Sequence, residues 1–210
     1  SHITTSKRNI SIVVWDAILK KPKRILKETA EVLSLDFYPF NNQCRSIDSS
    51  GSVKLWDAAA GKVLNENLVT IDDKEVTNAS VIFSHDGKHF GIHANDKLYL
   101  FQQSDNKLVG SYPAMRNKIS KQSFDMSCDG KWMVYKNPSN QLVLINMQNG
   151  TVAETLAADF KSESFVGFAQ NSQLLFIGNE NGKVQIYNIN AKRVVKEFTA
   201  HEGAAVDGSI

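Results

Sequence analysis

Apolar and polar residues alternate along this chain in short runs, and the runs recur. In "SGSVKLWDAAAGKVL", residues 50–64, an alternating run ends in Trp56-Asp57, a turn forms around Gly61, and a second run begins at Val63. Successive side chains of a strand point to opposite faces, so this pattern predicts two strands joined by a tight connection. The same order of events appears in "ISIVVWDAILKKPKRIL", "DKLYLFQQSDNKLVG", "NQLVLINMQNGTVAE" and "GKVQIYNINAKRVVKEF". The residues closing the first run of each are Trp15, Trp56, Phe101, Ile145 and Tyr187, separated by 41, 45, 44 and 42 positions.

A second marker keeps the same period. The segments "LDFYPFNNQ", "SVIFSHDGK", "SFDMSCDGK" and "VGFAQNSQ" each end a run on a bulky residue before a turn, at Tyr38, Phe83, Met126 and Phe168. Asp86-Gly87 and Asp129-Gly130 supply the positive φ that a tight hairpin needs. Between the markers the pattern predicts strands over 32–38, 43–47, 52–56 and 63–68, then 79–83, 89–93, 98–101 and 108–112. It continues with 122–126, 132–135, 142–145 and 152–156, then 164–168, 174–177, 184–187 and 194–198. Short strands at regular spacing, rich in β-branched and aromatic residues, predict an all-β protein with four strands per period.

Four strands in about 43 residues, with Trp-Asp closing the third, resembles the WD-repeat family of β-propellers. Trp15-Asp16 and Trp56-Asp57 match the family dipeptide; Tyr187-Asn188 and Ile145-Asn146 are degenerate versions, and Phe101-Gln102 is more remote. The Gly-His pair that opens a family repeat occurs once, altered, as Ala200-His201. The resemblance implies that Trp56 packs between blades and that Asp57 sits at the blade edge in the turn. It also implies a buried Asp-His-Ser/Thr-Trp hydrogen-bond network, which most units here lack the residues to complete.

The frame does not start at a blade boundary. Residues 1–5 align with the end of a second strand, and residues 200–210 with the first strand of a further blade. The expected organisation is one propeller region over 1–210, with units at roughly 1–30, 31–70, 76–113, 119–157 and 162–199. That makes four complete blades and one divided between the ends. Two arrangements follow: an arc of a longer ring, or a five-bladed ring closed where the ends meet.

Composition narrows the function. The 210 residues are 42% apolar and 22% charged, with a net charge of +2, values ordinary for a globular domain and without the basic excess of a general nucleic-acid binder. No run approaches the roughly 18 apolar residues of a membrane span, and the first ten residues contain no signal-peptide core. Cys44 and Cys128 form no CxxC pair, which suits the reducing cytoplasm or nucleus. The N-x-S/T matches at Asn9, Asn78 and Asn149 read as chance.

Candidate chemistry is sparse. "SHDGKHFGIH" places His85, His89 and His93 close in sequence, but His85 lies across the Asp86-Gly87 turn, so a three-point metal site is not expected. "GNENG", residues 178–182, is a hairpin turn rather than a phosphate loop, and Asp72, Asp73 and Glu180 fall in loops. No catalytic set, cofactor site or metal site is predicted. The expected function is a non-enzymatic scaffold that docks other proteins on its rim loops. Alternatives are a subunit of an RNA-processing or ribosome-assembly complex, or the WD-repeat sensing region of a larger regulatory protein.

Partner contacts are expected at Tyr112, Met115 and Arg116, between the third and fourth units, and at Phe160, between the fourth and fifth. The basic stretch with Lys21, Lys23 and Arg24 is a further candidate, with alternation placing Lys21 and Lys23 on one side and Arg24 opposite. It reads either as a charged edge strand that resists edge-to-edge pairing or as a contact for nucleic acid or an acidic protein.

Overall fold

A computed structural model describes residues 2–5, 11–37, 42–69, 79–94, 96–114, 124–156, 165–179 and 182–200. Every regular element in them is a strand. Four sheets have four strands each, another has three, and strand order is sequential in all of them. The chain divides into two compact units, Ser1–Phe83 and Ser84–Ile210.

The first unit opens with β1 (His2–Thr5), β2 (Ser11–Asp16) and β3 (Lys21–Lys27), which form a sheet in that order. β1 pairs antiparallel with β2, as expected for a second strand followed by a third. Its next sheet is β4 (Val32–Phe37), β5 (Gln43–Asp48), β6 (Ser52–Asp57) and β7 (Lys62–Leu68). β8 (Ala79–Phe83) then lies against β4 and β5. Ile12, Val14 and Leu26 of the first sheet meet Val32, Cys44, Trp56 and Ala58 of the second in one core cluster. Trp56 is therefore buried between two sheets, as its place in the repeat implies.

The second unit contains β9 (His89–Ala94), β10 (Lys97–Gln102) and β11 (Leu108–Pro113), of the sheet ordered β11-β10-β9-β8. β12 (Phe124–Met126), β13 (Trp132–Lys136), β14 (Leu142–Asn146) and β15 (Thr151–Leu156) make the next sheet. β16 (Val166–Phe168), β17 (Leu174–Gly178), β18 (Lys183–Asn188) and β19 (Arg193–Thr199) make the last. Val134, Leu142, Leu144 and Leu156 pack on Val166, Leu175, Ile177 and Tyr187, so Tyr187 occupies a site like that of Trp56.

The sequence markers acquire structural meaning here. In all five sheets the register between third and fourth strands shifts at the anchor: at Val14/Trp15, Leu55/Trp56, Leu100/Phe101, Leu144/Ile145 and Ile186/Tyr187. One residue of each outer strand, Lys23, Leu64, Val109, Ala153 or Val195, is thereby left out of the ladder. A bulge increases local twist, and its recurrence gives every outer strand the same bend. The first-strand marker needs one correction. Phe37, opposite Cys44, is the equivalent of Met126 opposite Met133 and of Phe168 opposite Leu175. Tyr38 lies outside the described residues.

Candidate interaction surface

The residue after each anchor acts as a turn cap. Asp16 Oδ1 accepts the amides of Ile18 and Leu19 at 2.9 Å, and Asp57 Oδ1 those of Ala59 and Ala60 at 2.9 and 2.8 Å. Asn146 and Asn188 do the same with the amides of Gln148 and Ala191. An asparagine carbonyl serves this role as well as a carboxylate does, which explains why the dipeptide degenerates to Asn. Gln102 is one methylene longer, and it instead donates Nε2–H to Ser104. The bond from the Leu19 amide holds the Asp16 carboxyl below its usual range.

Behind Trp56 lies a polar network. The indole Nε1–H donates to Ser46 Oγ at 2.9 Å, and the Ser46 hydroxyl donates to Glu28 Oε1. The other Glu28 oxygen binds Lys54 Nζ at 2.5 Å, and Glu66 approaches the same ammonium at 3.4 Å. Glu28 and Lys54 side chains are 1% and 5% exposed, so each charge depends on the other. Burial opposes the charge on Lys54, but Glu28 and Glu66 outweigh it and hold the ammonium above its ordinary pKa. Asp48 Oδ1 binds the amides of Ser50 and Ser52 at the β5–β6 turn. The Asp, Ser and Trp of the expected network are thus present in this sheet, with Glu28 where a histidine was expected. The sequence pattern did not reveal Glu28, whose only local signal is a carboxylate beside an outer strand.

Consecutive sheets are also joined along their first strands. Asp36 Oδ2 accepts the Phe83 amide at 3.2 Å, and Asp125 Oδ2 accepts the Phe168 amide at 2.7 Å. These are the same bond in two places, because Phe37 and Met126 are equivalent positions.

Outer strands reach the following sheet at its third-to-fourth turn. Arg24 Nε donates to the Ala59 carbonyl at 3.2 Å, and Tyr112 Oη donates to the Gly150 carbonyl at 2.8 Å. Gly150 has φ +70°, and a Cβ there would lie 2.7 Å from the Val109 carbonyl oxygen, so both backbone and space require glycine. Gly110 leaves room for the Tyr112 ring, whose hydroxyl lies where a Gly110 side chain would be. Burial, with Tyr135 nearby, pushes the Tyr112 phenol up to about 12.

Tyr112 is accordingly buried and bonded internally. Lys21, Lys23 and Arg24 are exposed on β3. The bulge leaves Lys23 out of the ladder, so the simple alternation expected for Lys21, Lys23 and Arg24 is interrupted there. Met115, Arg116, Phe160 and His201 lie outside the described residues. His89 and His93 are buried on β9, with His93 edge-on to Phe124 at 5.9 Å between centroids, while His85 is exposed. Burial lowers the His89 pKa, with Asp86 opposing. No group of three or more His, Cys, Asp or Glu among the described residues is placed to hold a metal. Burial raises the Cys44 thiol to about 12 and also raises Cys128, making both poor nucleophiles at neutral pH.

These sheets define an all-β repeat protein built from four-stranded antiparallel units of the propeller-blade kind. No family model matches the chain. Pre-mRNA-processing factor 17 of Homo sapiens and that of Mus musculus are each similar to it, 21% identical over 164 residues. The match covers 75% of this chain and 28% of each relative, so the chain spans little more than a quarter of their length. Among the described residues no helix is long and apolar enough to cross a membrane.

Proposed function

We propose that residues 1–210 are one WD-repeat propeller region that acts as a non-enzymatic scaffold, docking proteins within an assembly that processes RNA, in the nucleus or cytoplasm. The observation that carries the reading is the blade unit itself, repeated with the same bulge in five sheets and the same turn cap in four. It coincides with similarity to a pre-mRNA-processing factor over three quarters of the chain. The polar groups singled out inside the sheets serve structure: Asp16 and Asp57 cap turns, and Ser46, Glu28 and Lys54 satisfy one another. That leaves exposed side chains as the means of recognition. Lys21, Lys23 and Arg24, with Met115, Arg116 and Phe160, are the proposed contacts.

The test is capture of the tagged full chain from cell extract with and without nuclease, followed by identification of what is retained. A scaffold keeps the same protein set after nuclease treatment, enriched in RNA-processing components. Loss of every protein on nuclease treatment would mean that RNA alone provides the link. An empty capture in both arms would refute the scaffold reading.

A further inference from the structure

Among the described residues, the β2–β3 hairpin is at once the most cationic and the most apolar exposed surface. Residues 17–27 carry Lys20, Lys21, Lys23, Arg24 and Lys27 and no acid. Asp16, just before them, has one oxygen committed to the turn, and Glu28, just after, is turned inward onto Lys54. Asp16 interacts with Lys23, so one carboxylate faces the five cations of the hairpin. On the same hairpin Ile18, Ile25 and Leu19 are 90%, 61% and 60% exposed, the three most exposed large apolar side chains among the described residues.

The other outer strands serve as an internal control. They occupy the same place in their sheets and carry the same bulge, so protection of a sheet edge would ask the same of each. Yet β7 carries one lysine, Lys62, and one glutamate, Glu66, β11 has no charge, and β15 has only Glu154. The nearest rival, residues 189–199, has three cations, Lys192, Arg193 and Lys196, with one acid, Glu197, which binds Lys183. Edge protection therefore does not account for the five cations of β2–β3.

We infer that this hairpin is a docking site for an acidic peptide segment bearing aliphatic side chains. The excess of cations selects acidic residues, and the exposed Ile18, Leu19 and Ile25 supply an apolar contact. Pro22 has no N–H, and the bulge at Lys23 breaks the ladder, so recognition runs through side chains rather than by strand addition. RNA fits less well, because residues 17–27 contain no aromatic ring on which a base would stack. The turn cap at Asp16 fixes the hairpin tip, which limits the ordering cost of binding.

This site is one docking surface of the scaffold proposed above and rests on that reading. The test is fluorescence anisotropy on the full chain with three labelled probes of about 12 units. They are a Glu/Asp-Leu peptide, the same peptide with Leu replaced by Ser, and oligouridine. The first is expected to bind best and to weaken as salt rises. Lys21→Glu/Lys23→Glu and Ile18→Ser/Ile25→Ser are each expected to weaken it on the order of tenfold, while Lys62→Glu on β7 leaves it unchanged. Because all these side chains are exposed, circular dichroism should show the variants folded. Equal or tighter binding of the Ser peptide or of oligouridine overturns the proposal, as does indifference to both double variants. If the peptide fails while nuclease-resistant protein capture persists, this surface is refuted and the scaffold stands.

Discussion

The indole N–H of Trp56 is bonded to the hydroxyl of Ser46, ten residues earlier on the neighbouring strand, at 2.9 Å. Trp56 thus joins two sheets through its ring and satisfies its one polar atom inside the sheet it belongs to. Trp56→Ala should cost roughly 3–5 kcal/mol through lost burial and the cavity left behind. Trp56→Phe keeps most of the apolar contact and should cost less, so the gap between the two variants in urea melts measures the packing component. A loss below about 0.5 kcal/mol for the alanine variant would place the ring outside the core.

Glu28 and Lys54 behave as a pair. Glu28→Gln leaves a buried ammonium short of an anion and should cost about 3 kcal/mol, towards the low end because Glu66 remains nearby. Glu28→Gln combined with Lys54→Met should recover much of that loss, since no buried charge is then stranded. Strict additivity of the two single changes would contradict the coupling.

Because the Lys54 pKa is raised in the folded state, its contribution is present below the ordinary lysine value of 10.5 and is lost as pH climbs through the folded value. Urea melts across that alkaline range should therefore show a decline in the native chain that is reduced in Lys54→Met.

Tyr112 and Tyr187 are both pushed up to about 12, the first by burial and the second by burial together with its bond to Glu154. Absorbance titration of the five tyrosines should show a late-ionising fraction that shrinks in Tyr112→Phe. The raised phenol favours its neutral form in the fold, so its stabilisation is complete below pH 10 and disappears between 10 and about 12. At neutral pH the phenylalanine variant should lose about 1 kcal/mol, the net value of the bond to Gly150.

Asp125→Ala removes the acceptor of the Phe168 amide, at a cost of about 1–3 kcal/mol. Hydrogen exchange at Phe168 should accelerate more than at Tyr187, which lies in the same sheet away from that bond. Unchanged protection of Phe168 would mean that the amide is held by other means.

The strands were legible in the sequence because alternation is a local property: each residue's face is fixed by its neighbours two positions away. Hence β8 matches its expected span, and most other strands extend theirs by one residue. The anchors Trp56 and Tyr187 were legible for the same reason, and so were Gly87 and Gly130, whose positive φ belongs to the hairpin alone. Periodicity left the choice of partners open. Phe37 rather than Tyr38 holds the first-strand marker because cross-strand register, set by Cys44 opposite, decides it. Tyr112 was expected as a partner contact, but a glycine at 110 and a carbonyl 38 residues away draw it inside. Glu28 and Lys54, 26 residues apart, carry no joint pattern, and only the folded sheet brings the two charges out of water together. Local alternation therefore determined where the strands lie; long-range hydrogen bonding and desolvation decided which polar residues became structure and which cations stayed outside.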